Sequence, residues 1–234
     1  MMKSERGPVL WIVGAVLLAV LVVVFFQLQP DTDEPVRIGS KKFTEGVVLG
    51  EVLHLMARSV GEPSKHEAEM GGTRIVYDAL LAGEIDAYVE YTGTLKSDIF
   101  AQEGYADLGE IRKALAAEGI RMGPTLGFNN TYAIGMRRDR AAKLGVRTIS
   151  DLGAHPDLEF AFSHEFTERA DSWPGLRRRY GLPQGATGID HDLAYRAVDA
   201  GEADATDVYS TDAKIEVYDL VTLEDDLDYF PSYE

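Results

Sequence analysis

The sequence has 234 residues and is 45% hydrophobic, which is enough for one large domain or two small lobes. Its formal net charge of −16 argues against nucleic acid as a partner, because phosphate binding needs clusters of Lys and Arg. It contains no cysteine, which excludes disulfide frameworks, cysteine-ligated zinc and thiol catalysis.

The first predicted element is an apolar segment near the N-terminus. Residues 9–28 carry no charge, and Gln27 is their one polar side chain. A helix of this length reaches about 30 Å, the thickness of the hydrocarbon core of a bilayer. Lys3 and Arg6 precede it, so the positive-inside rule predicts a cytoplasmic N-terminus over residues 1–8 and export of the rest. The segment is either an uncleaved membrane anchor or a signal peptide.

A strand–helix pattern follows a short polar tether over residues 29–35. Residues 36–40 are predicted as a strand, and Thr44 is a candidate N-cap of the next helix. The predicted buried face of that helix is apolar and consists of Val47, Val48, Val52, Leu55 and Met56. A second helix opens at Thr73 and is predicted to end at Gly83, before a strand over residues 85–89. This order predicts a parallel α/β sheet.

An internal repeat is the most informative pattern. Residues 77–94 match residues 195–212 without a gap, at an offset of 118, and 8 of the 18 positions are identical. Each copy predicts a helix, a glycine cap, a strand and a loop with a tyrosine, which is Tyr91 in the first copy and Tyr209 in the second. The repeat predicts two α/β lobes of similar plan. Because ligands bind at the C-terminal edge of the strands in open α/β sheets, we expect both tyrosines at that edge.

The remaining elements predict the second lobe. Residues 131–136 are a strand candidate and a crossing between the lobes, and residues 158–162 are another strand. Residues 173–180 are predicted as a helix that ends at Gly181, and residues 217–223 as a strand that returns to the first lobe. The predicted division is lobe I over 36–130, lobe II over 131–208 and a return to lobe I over 209–234.

Four tyrosines lie next to predicted strand ends or lobe crossings. They are Tyr91, Tyr132, Tyr195 and Tyr209. Aromatic faces attract a cation that donates no hydrogen bonds, and quaternary ammonium is the typical ligand of such aromatic cages. An ordinary core or surface position is the alternative for each tyrosine, and the repeat favours a site role for Tyr91 and Tyr209.

A zwitterionic ligand also needs an anion site. Lys41, Lys42 and Arg169 are the candidates, together with the backbone donors at the helix start near Thr73. A solvated surface charge is the alternative for each basic residue.

The sequence contains no convincing pattern of catalytic residues. Ser163, His164 and Glu165 are adjacent in sequence, unlike a triad that is assembled in space, and the five histidines show no metal-ligand spacing. We therefore predict a protein that is not an enzyme and has no metal or cofactor.

Several motifs together resemble those of the osmoprotectant (glycine betaine/choline/carnitine) substrate-binding proteins of ABC importers. They are Ile38-Gly-Ser-Lys-Lys-Phe-Thr-Glu, Gly71-Gly-Thr, Gly83-Glu-Ile-Asp-Ala-Tyr-Val-Glu-Tyr-Thr-Gly-Thr, Asn130-Thr-Tyr-Ala and Tyr209-Ser-Thr-Asp. The resemblance implies a bilobal periplasmic-binding-protein fold, in which two α/β lobes close on a ligand. The expected fold class is therefore α/β and bilobal, preceded by an N-terminal transmembrane helix.

The resemblance also implies roles for individual residues. The four tyrosines match the family's aromatic cage for a trimethylammonium head. Lys41, Thr94 and Arg169 match positions that hold the ligand carboxylate, and Thr73 matches a further polar position. Because relatives continue beyond the Phe-Pro motif at Phe230, the return to lobe I is expected to be incomplete.

The function that the resemblance implies is the extracytoplasmic solute-binding component of an ABC importer for glycine betaine or a related quaternary-ammonium osmoprotectant. The apolar segment over residues 9–28 predicts that this receptor is anchored at the periplasmic or extracellular face of the cytoplasmic membrane. Its expected partners are a small quaternary-ammonium or zwitterionic solute, ABC permease subunits and the membrane. The alternatives are a receptor for another zwitterion, such as ergothioneine or an amino acid, a membrane-anchored ligand sensor, and a degenerate enzyme of the same fold.

Overall fold

The structure is a computed structural model that describes residues 34–234. Within this range, no helix combines the length and the apolar character needed to cross a bilayer. The predicted cytoplasmic residues 1–8, the predicted membrane segment 9–28 and most of the predicted tether lie outside the described residues.

Two β-sheets organise the described residues. The smaller sheet is a parallel pair of strands, β1 (Val36–Gly39) and β2 (Ser64–Glu67). The larger sheet has the order β5-β4-β6-β3-β7. Its strands are β3 (Tyr132–Arg137), β4 (Phe160–Ser163), β5 (Ala186–Ile189), β6 (Ala205–Tyr209) and β7 (Leu220–Thr222). Because β3 runs antiparallel to β6 and β7, the larger sheet is mixed. The parallel pairing predicted for residues 36–89 is found between β1 and β2.

Helices connect most of the strands. In chain order they are α1 (Thr44–Ser59), α2 (Thr73–Leu81), α3 (Thr92–Thr94), α4 (Leu108–Ala117), α5 (Arg138–Leu144), α6 (His164–Glu168), α7 (Trp173–Tyr180), α8 (His191–Ala200) and α9 (Lys214–Val217). A π-helix follows α3 over Leu95–Ile99, and a 3-10 helix spans Ser150–Ala154. Helix α7 has the predicted bounds, and Gly181 ends it at φ 63°, in the left-handed region that favours glycine.

The buried face of α1 is not the predicted one. The buried residues of the helix are Gly46 and Gly50, which lie one turn apart. A Cβ atom at Gly50 would lie 2.4 Å from His66 Nε2, so the helix backbone approaches β2 closely at this point. The predicted apolar face points away, and Val48, Val52, Leu55 and Met56 are 45–59% exposed. The prediction was wrong because it counted apolar side chains and gave no weight to two glycines at helical spacing.

The strand predicted over residues 85–89 is reduced to a single bridge. Ala87 pairs with Ile38 of β1 in the parallel sense, and the neighbouring residues form no ladder. Ile85 is nevertheless buried, and it packs with Val76 and Ala79 of α2. The polypeptide therefore follows the predicted path without the extended hydrogen bonding.

The strand predicted over residues 217–223 forms only over Leu220–Thr222, because Val217 is the last residue of α9. It also joins the larger sheet and does not return to the first lobe. As β7 it lies beside β3, with Met136 opposite Val221, and so it extends the larger sheet. The return to the first part of the chain is made by the C-terminal tail instead, where Thr92 N donates to the Glu234 carbonyl at 3.0 Å.

Three chain segments lie side by side at one edge of the larger sheet: the residues before β3, the residues after β6 and the C-terminal tail. Asn130 N donates to the Tyr233 carbonyl at 3.0 Å, and Ser210 N donates to the Thr131 carbonyl at 2.9 Å. Tyr233 N also donates to Asn129 Oδ1 at 2.7 Å. The entry to β3, the exit from β6 and the C-terminal tail are thus held together, and each of them carries an aromatic residue.

Candidate functional site: an aromatic cage

A small cavity lies beside these three segments. It has a volume of about 20 Å³ and is lined by Lys41, Phe43, Tyr91, Thr94, Asn130, Tyr132, Glu165, Arg169, Tyr209 and Tyr233. A cavity of this size holds one or two water molecules. Six of the nine residues singled out in the sequence line it, and they come from both halves of the described chain.

Five aromatic rings form most of the wall, and we call them the aromatic cage. They are Phe43, Tyr91, Tyr132, Tyr209 and Tyr233. Their ring centroids lie 4.6 Å apart for Phe43 and Tyr209, 5.1 Å for Tyr132 and Tyr209, and 5.5 Å for Tyr132 and Tyr233. The rings contact one another at the distances of stable aromatic pairs.

The backbone explains why these rings meet. Tyr132 begins β3 and Tyr209 ends β6, and the antiparallel register places the two residues directly opposite each other. Tyr91 precedes α3, and Phe43 precedes α1. Gly93 lets the C-terminal tail come close, since a Cβ atom there would lie 2.6 Å from the Tyr233 ring. Strand ends and helix starts therefore place all five rings.

The cage tyrosines are kept neutral. Burial is the main cause that raises the pKa values of Tyr91, Tyr132 and Tyr209 above the usual value for tyrosine. Two rings already attract cations of the chain itself: Lys41 Nζ lies 5.5 Å from the centroid of Tyr91, and the guanidinium of Arg169 lies 5.8 Å from that of Tyr132. These distances are in the range of cation–π contacts.

Lys41 contacts the cavity from the loop after β1. Its ammonium donates to Glu90 Oε1 at 2.5 Å and to Thr73 Oγ1 at 3.1 Å. The Thr73 hydroxyl in turn donates to Glu165 Oε1 at 2.6 Å. Thr73 is therefore connected to the site through two charged groups, although it does not line the cavity itself.

Arg169 is held by two carboxylates. Its guanidinium donates to both oxygens of Asp171, at 2.9 and 2.6 Å, and to Glu165 at 3.3 Å. Burial alone would lower the pKa of Arg169, but the hydrogen bonds with Asp171 outweigh it and the pKa lies above its usual range. Burial likewise disfavours the charge on Glu165, yet Lys41 and Thr73 hold the pKa of that carboxyl below its usual range. The site thus contains ionised groups of both signs.

Tyr195 requires a correction, because the structure does not bring it to the cage. It is fully buried on α8, and its hydroxyl donates to Asp212 Oδ2 at 3.2 Å. Its ring packs beside His191 and Tyr218. The repeat contains the reason, since it aligns Tyr195 with Tyr77, which is also buried on a helix. Both are core tyrosines, and the loop tyrosines of the repeat are the ones that reach the cavity.

Four of the ten lining residues were not among the proposed site residues. Asn130 is one of them, and it stands at the start of one of the quoted motifs. Phe43 stands in the first motif and was not singled out, and Glu165 was considered only as part of a poor catalytic pattern. Tyr233 had no periodic signal, and only the aromatic richness of the tail over residues 229–233 could have drawn attention to it.

A wider chamber adjoins the cage. Its volume is about 480 Å³, and it shares Lys41, Phe43, Glu165 and Tyr209 with the small cavity. Its other lining residues are mostly polar: Lys42, Thr44, Val47, Val48, Glu69, Gly71, Gly72, Ser163, His164, Ile189, Asp190, His191, Asp192 and Lys214. The site is therefore a narrow aromatic part that continues into a wide polar part.

Comparisons with known proteins agree with this architecture. A family described as the substrate binding domain of ABC-type glycine betaine transport systems matches residues 34–234. The solved structure of a glycine betaine/carnitine/choline ABC transporter protein superposes with a TM-score of 0.61 at 27% identity, over 85% of this chain and 77% of that one.

Two curated bacterial proteins are similar in sequence. The Helicobacter pylori ergothioneine transport permease/ergothioneine binding protein EgtU is 33% identical over 86% of this chain, and the chain spans only 38% of that protein. The Escherichia coli glycine betaine-binding protein YehZ is 31% identical over 96% of this chain and 78% of its own length. The described residues therefore have the α/β fold of bilobal periplasmic binding proteins, and the chain belongs to the family of substrate-binding domains of ABC-type glycine betaine transport systems.

Proposed function

We propose that this chain is the extracytoplasmic solute-binding component of an ABC importer and that it captures a small quaternary-ammonium solute of the glycine betaine kind. The observation that carries the proposal is the convergence of five aromatic rings on one cavity. Family membership supports the transport role, and the name of the Escherichia coli relative supports the solute class. The proposed activity is binding, with no bond made or broken.

The cage supplies the affinity through several rings at once. One cation–π contact in a desolvated site contributes up to about 2 kcal/mol. A micromolar Kd needs about 8 kcal/mol net, so a single ring is insufficient. Tyr91, Tyr132, Tyr209, Phe43 and Tyr233 together surround the ammonium in this proposal.

Opening is needed for entry, because a cavity of about 20 Å³ is too small for a trimethylammonium group. Phe43 and Tyr209 come from different halves of the chain and lie in contact. We propose that the halves separate at this contact to admit the solute and then close on it, which shifts the population to the closed form.

The proposed organisation assigns residues 36–130 to lobe I and residues 131–222, including β7, to lobe II. The tail after β7 crosses back to lobe I. Residues 9–28 are proposed as the anchor that holds the receptor at the outer face of the cytoplasmic membrane, next to the ABC permease.

The decisive experiment is calorimetric titration of the wild type and two cage variants with glycine betaine and choline. Tyr91→Ala and Tyr209→Ala should each weaken binding by about tenfold or more, because each removes a cation–π contact. Tyr218→Ala is the matched control, since that tyrosine contacts neither cavity. Unchanged affinity in both cage variants, with a folded protein, would refute the cage.

A larger betaine such as ergothioneine is a second candidate solute. The adjoining chamber of about 480 Å³ favours it, because that chamber offers room for a polar extension of the ammonium head. The Helicobacter pylori relative is named for ergothioneine.

A variant that fills the chamber distinguishes the two solutes. Ile189→Trp should weaken ergothioneine binding more than glycine betaine binding. Val217→Trp serves as the control, because Val217 is exposed and lies outside both cavities. Equal affinities of the Ile189 variant and the wild type for ergothioneine would remove this candidate.

A further inference from the structure

The carboxylate of Glu45 lies beside the cage. Within the described chain, no cation forms an ion pair with this carboxylate. It accepts hydrogen bonds from the Tyr91 hydroxyl at 2.6 Å, the Asn130 amide at 2.8 Å and the Thr211 hydroxyl at 2.6 Å. All three donors are neutral. Among residues 34–234, none of the ion pairs includes Glu45.

The two cations that line the small cavity are already compensated. Lys41 is paired with Glu90 at 2.5 Å, and Arg169 is paired with Asp171 at 2.6 Å. A further carboxylate, Glu165, lies 3.3 Å from Arg169 and lines the cavity. The groups around the cage, with Glu45 included, therefore have more negative than positive charges.

We infer that Glu45 determines specificity by charge: it favours a quaternary-ammonium cation without a carboxylate, of which choline is the simplest example, over a zwitterion such as glycine betaine. The inference rests on the proposed function. An uncompensated charge in a partly buried site acts across a low effective dielectric, so it attracts the ammonium and repels a ligand carboxylate. For a zwitterion these two effects oppose each other, whereas for a cation only the attraction remains.

The hydrogen bond from Tyr91 to Glu45 also strengthens the attraction between the Tyr91 ring and a cation. Because the phenol of Tyr91 donates to a carboxylate, its ring becomes richer in electrons and its face a better partner for a cation. Glu45 therefore acts on an ammonium in the cage both directly and through the ring in front of it.

The test uses two ligands that share a trimethylammonium head and differ at the other end, where choline has a hydroxyl and glycine betaine a carboxylate. Both are titrated by calorimetry into the wild type, Glu45→Gln and the control Glu51→Gln. Glutamine keeps the shape and the acceptor for Tyr91 but removes the charge. Glu51 lies on the same helix with an exposed side chain, so its variant removes the same charge at a distance from the cage.

The ratio of the choline to the glycine betaine affinity should fall about fivefold or more in Glu45→Gln and stay within about twofold in Glu51→Gln. The wild-type ratio should also fall as ionic strength rises, because salt screens the charge. Since glutamine carries no charge, the ratio measured for Glu45→Gln should change less with salt.

Two other results would overturn the inference. An equal loss for both ligands in Glu45→Gln would mean that Glu45 merely positions Tyr91, and the proposed function would stand. A folded wild type that binds neither ligand would overturn the inference together with the quaternary-ammonium function.

Discussion

The two copies of the repeat bring corresponding tyrosines to one cavity through different local structures. In the second copy, Tyr209 ends the five-residue strand β6, which is buried in the middle of the larger sheet. In the first copy, only Ala87 forms a bridge before Tyr91, which precedes the one-turn helix α3. Both copies thus keep the same spacing from the glycine cap to the loop tyrosine. The segment between these two residues is a regular strand in the second copy and has a single bridge in the first.

The same comparison separates core tyrosines from site tyrosines. Tyr77 and Tyr195 begin the two copies, and each is buried on a helix with its hydroxyl bonded to a carboxylate. Tyr91 and Tyr209 lie 14 residues later in each copy and reach the cage. A tyrosine of the repeat is therefore assigned to the core or to the site by its position in the repeat, and not by its residue type.

The largest expected effect concerns a core tyrosine. Tyr195→Ala should lower the free energy of unfolding by about 3 kcal/mol or more, because it removes a fully buried ring and the hydrogen bond that this tyrosine donates to Asp212 Oδ2. Urea unfolding followed by circular dichroism measures this loss. A Tyr195→Ala variant that kept its stability and lost only ligand affinity would show that Tyr195 belongs to the site and not to the core.

The next effect concerns the glycine that follows Tyr91. Gly93→Ala should weaken ligand binding about fivefold, because the new methyl group displaces the Tyr233 ring and removes most of one cation–π contact of about 1 kcal/mol. Calorimetric titration is the measurement, with Gly153→Ala as the control, since nothing lies within 4 Å of a Cβ atom there. Unchanged binding would show that the tail is not part of the cage.

A smaller effect is expected for the helix tyrosine of the first copy. Burial and then Glu118 raise the pKa of Tyr77 to about 12. Since this folded-state pKa lies above the unfolded value of about 10, the protonated phenol stabilises the protein below pH 10. That contribution is lost as the pH rises from 10 to 12.

Tyr77→Phe tests this pH dependence. At neutral pH, the variant should have a free energy of unfolding about 1 kcal/mol lower than the wild type, because the hydrogen bond to Glu118 is lost. Between pH 10 and pH 12, its free energy of unfolding should fall less than that of the wild type. Urea unfolding at pH 7, pH 10 and pH 12 measures both. Parallel declines for the two proteins would contradict the assigned pKa.

The smallest effect is expected for the ion pair that joins the two halves at the surface. Lys42 bonds Asp190 at 2.7 Å, and its side chain is 56% exposed. Exposed ion pairs contribute little, because water and salt screen them. Lys42→Ala should therefore leave the melting temperature and the ligand affinity unchanged within error. A clear loss of affinity would show that this ion pair helps the two halves to close on the ligand.

The sequence predicted the fold where the pattern is local. Helix α7 and its glycine stop at Gly181 follow from composition and spacing, and so does the position of β3. The pairing of β7 with β3 could not be predicted, because it depends on packing between segments whose paired residues lie 83 to 87 positions apart in the sequence. The exposed face of α1 was missed because the close approach of its backbone depends on His66 in β2.

The candidate site could be predicted to a similar extent. Tyr91, Tyr132 and Tyr209 were found because they lie at strand ends or loop positions that a repeat marks. Tyr233 and Glu165 were not, since the tail and the start of α6 approach the cage only through tertiary contacts. Tyr195 was included from its residue type and the resemblance, although its alignment with Tyr77 already indicated a core position.

The apolar face of α1 has a consequence for how the chain behaves in concentrated solution. This helix exposes a contiguous apolar surface to water, formed by Val48, Val52, Leu55 and Met56. Apolar surfaces of this kind associate with one another. The net charge of −16 opposes that adhesion by mutual repulsion between molecules. Because added salt shortens the reach of this repulsion to about 10 Å at 0.1 M, the protein should be best dispersed in dilute buffer and should begin to cluster as salt is added.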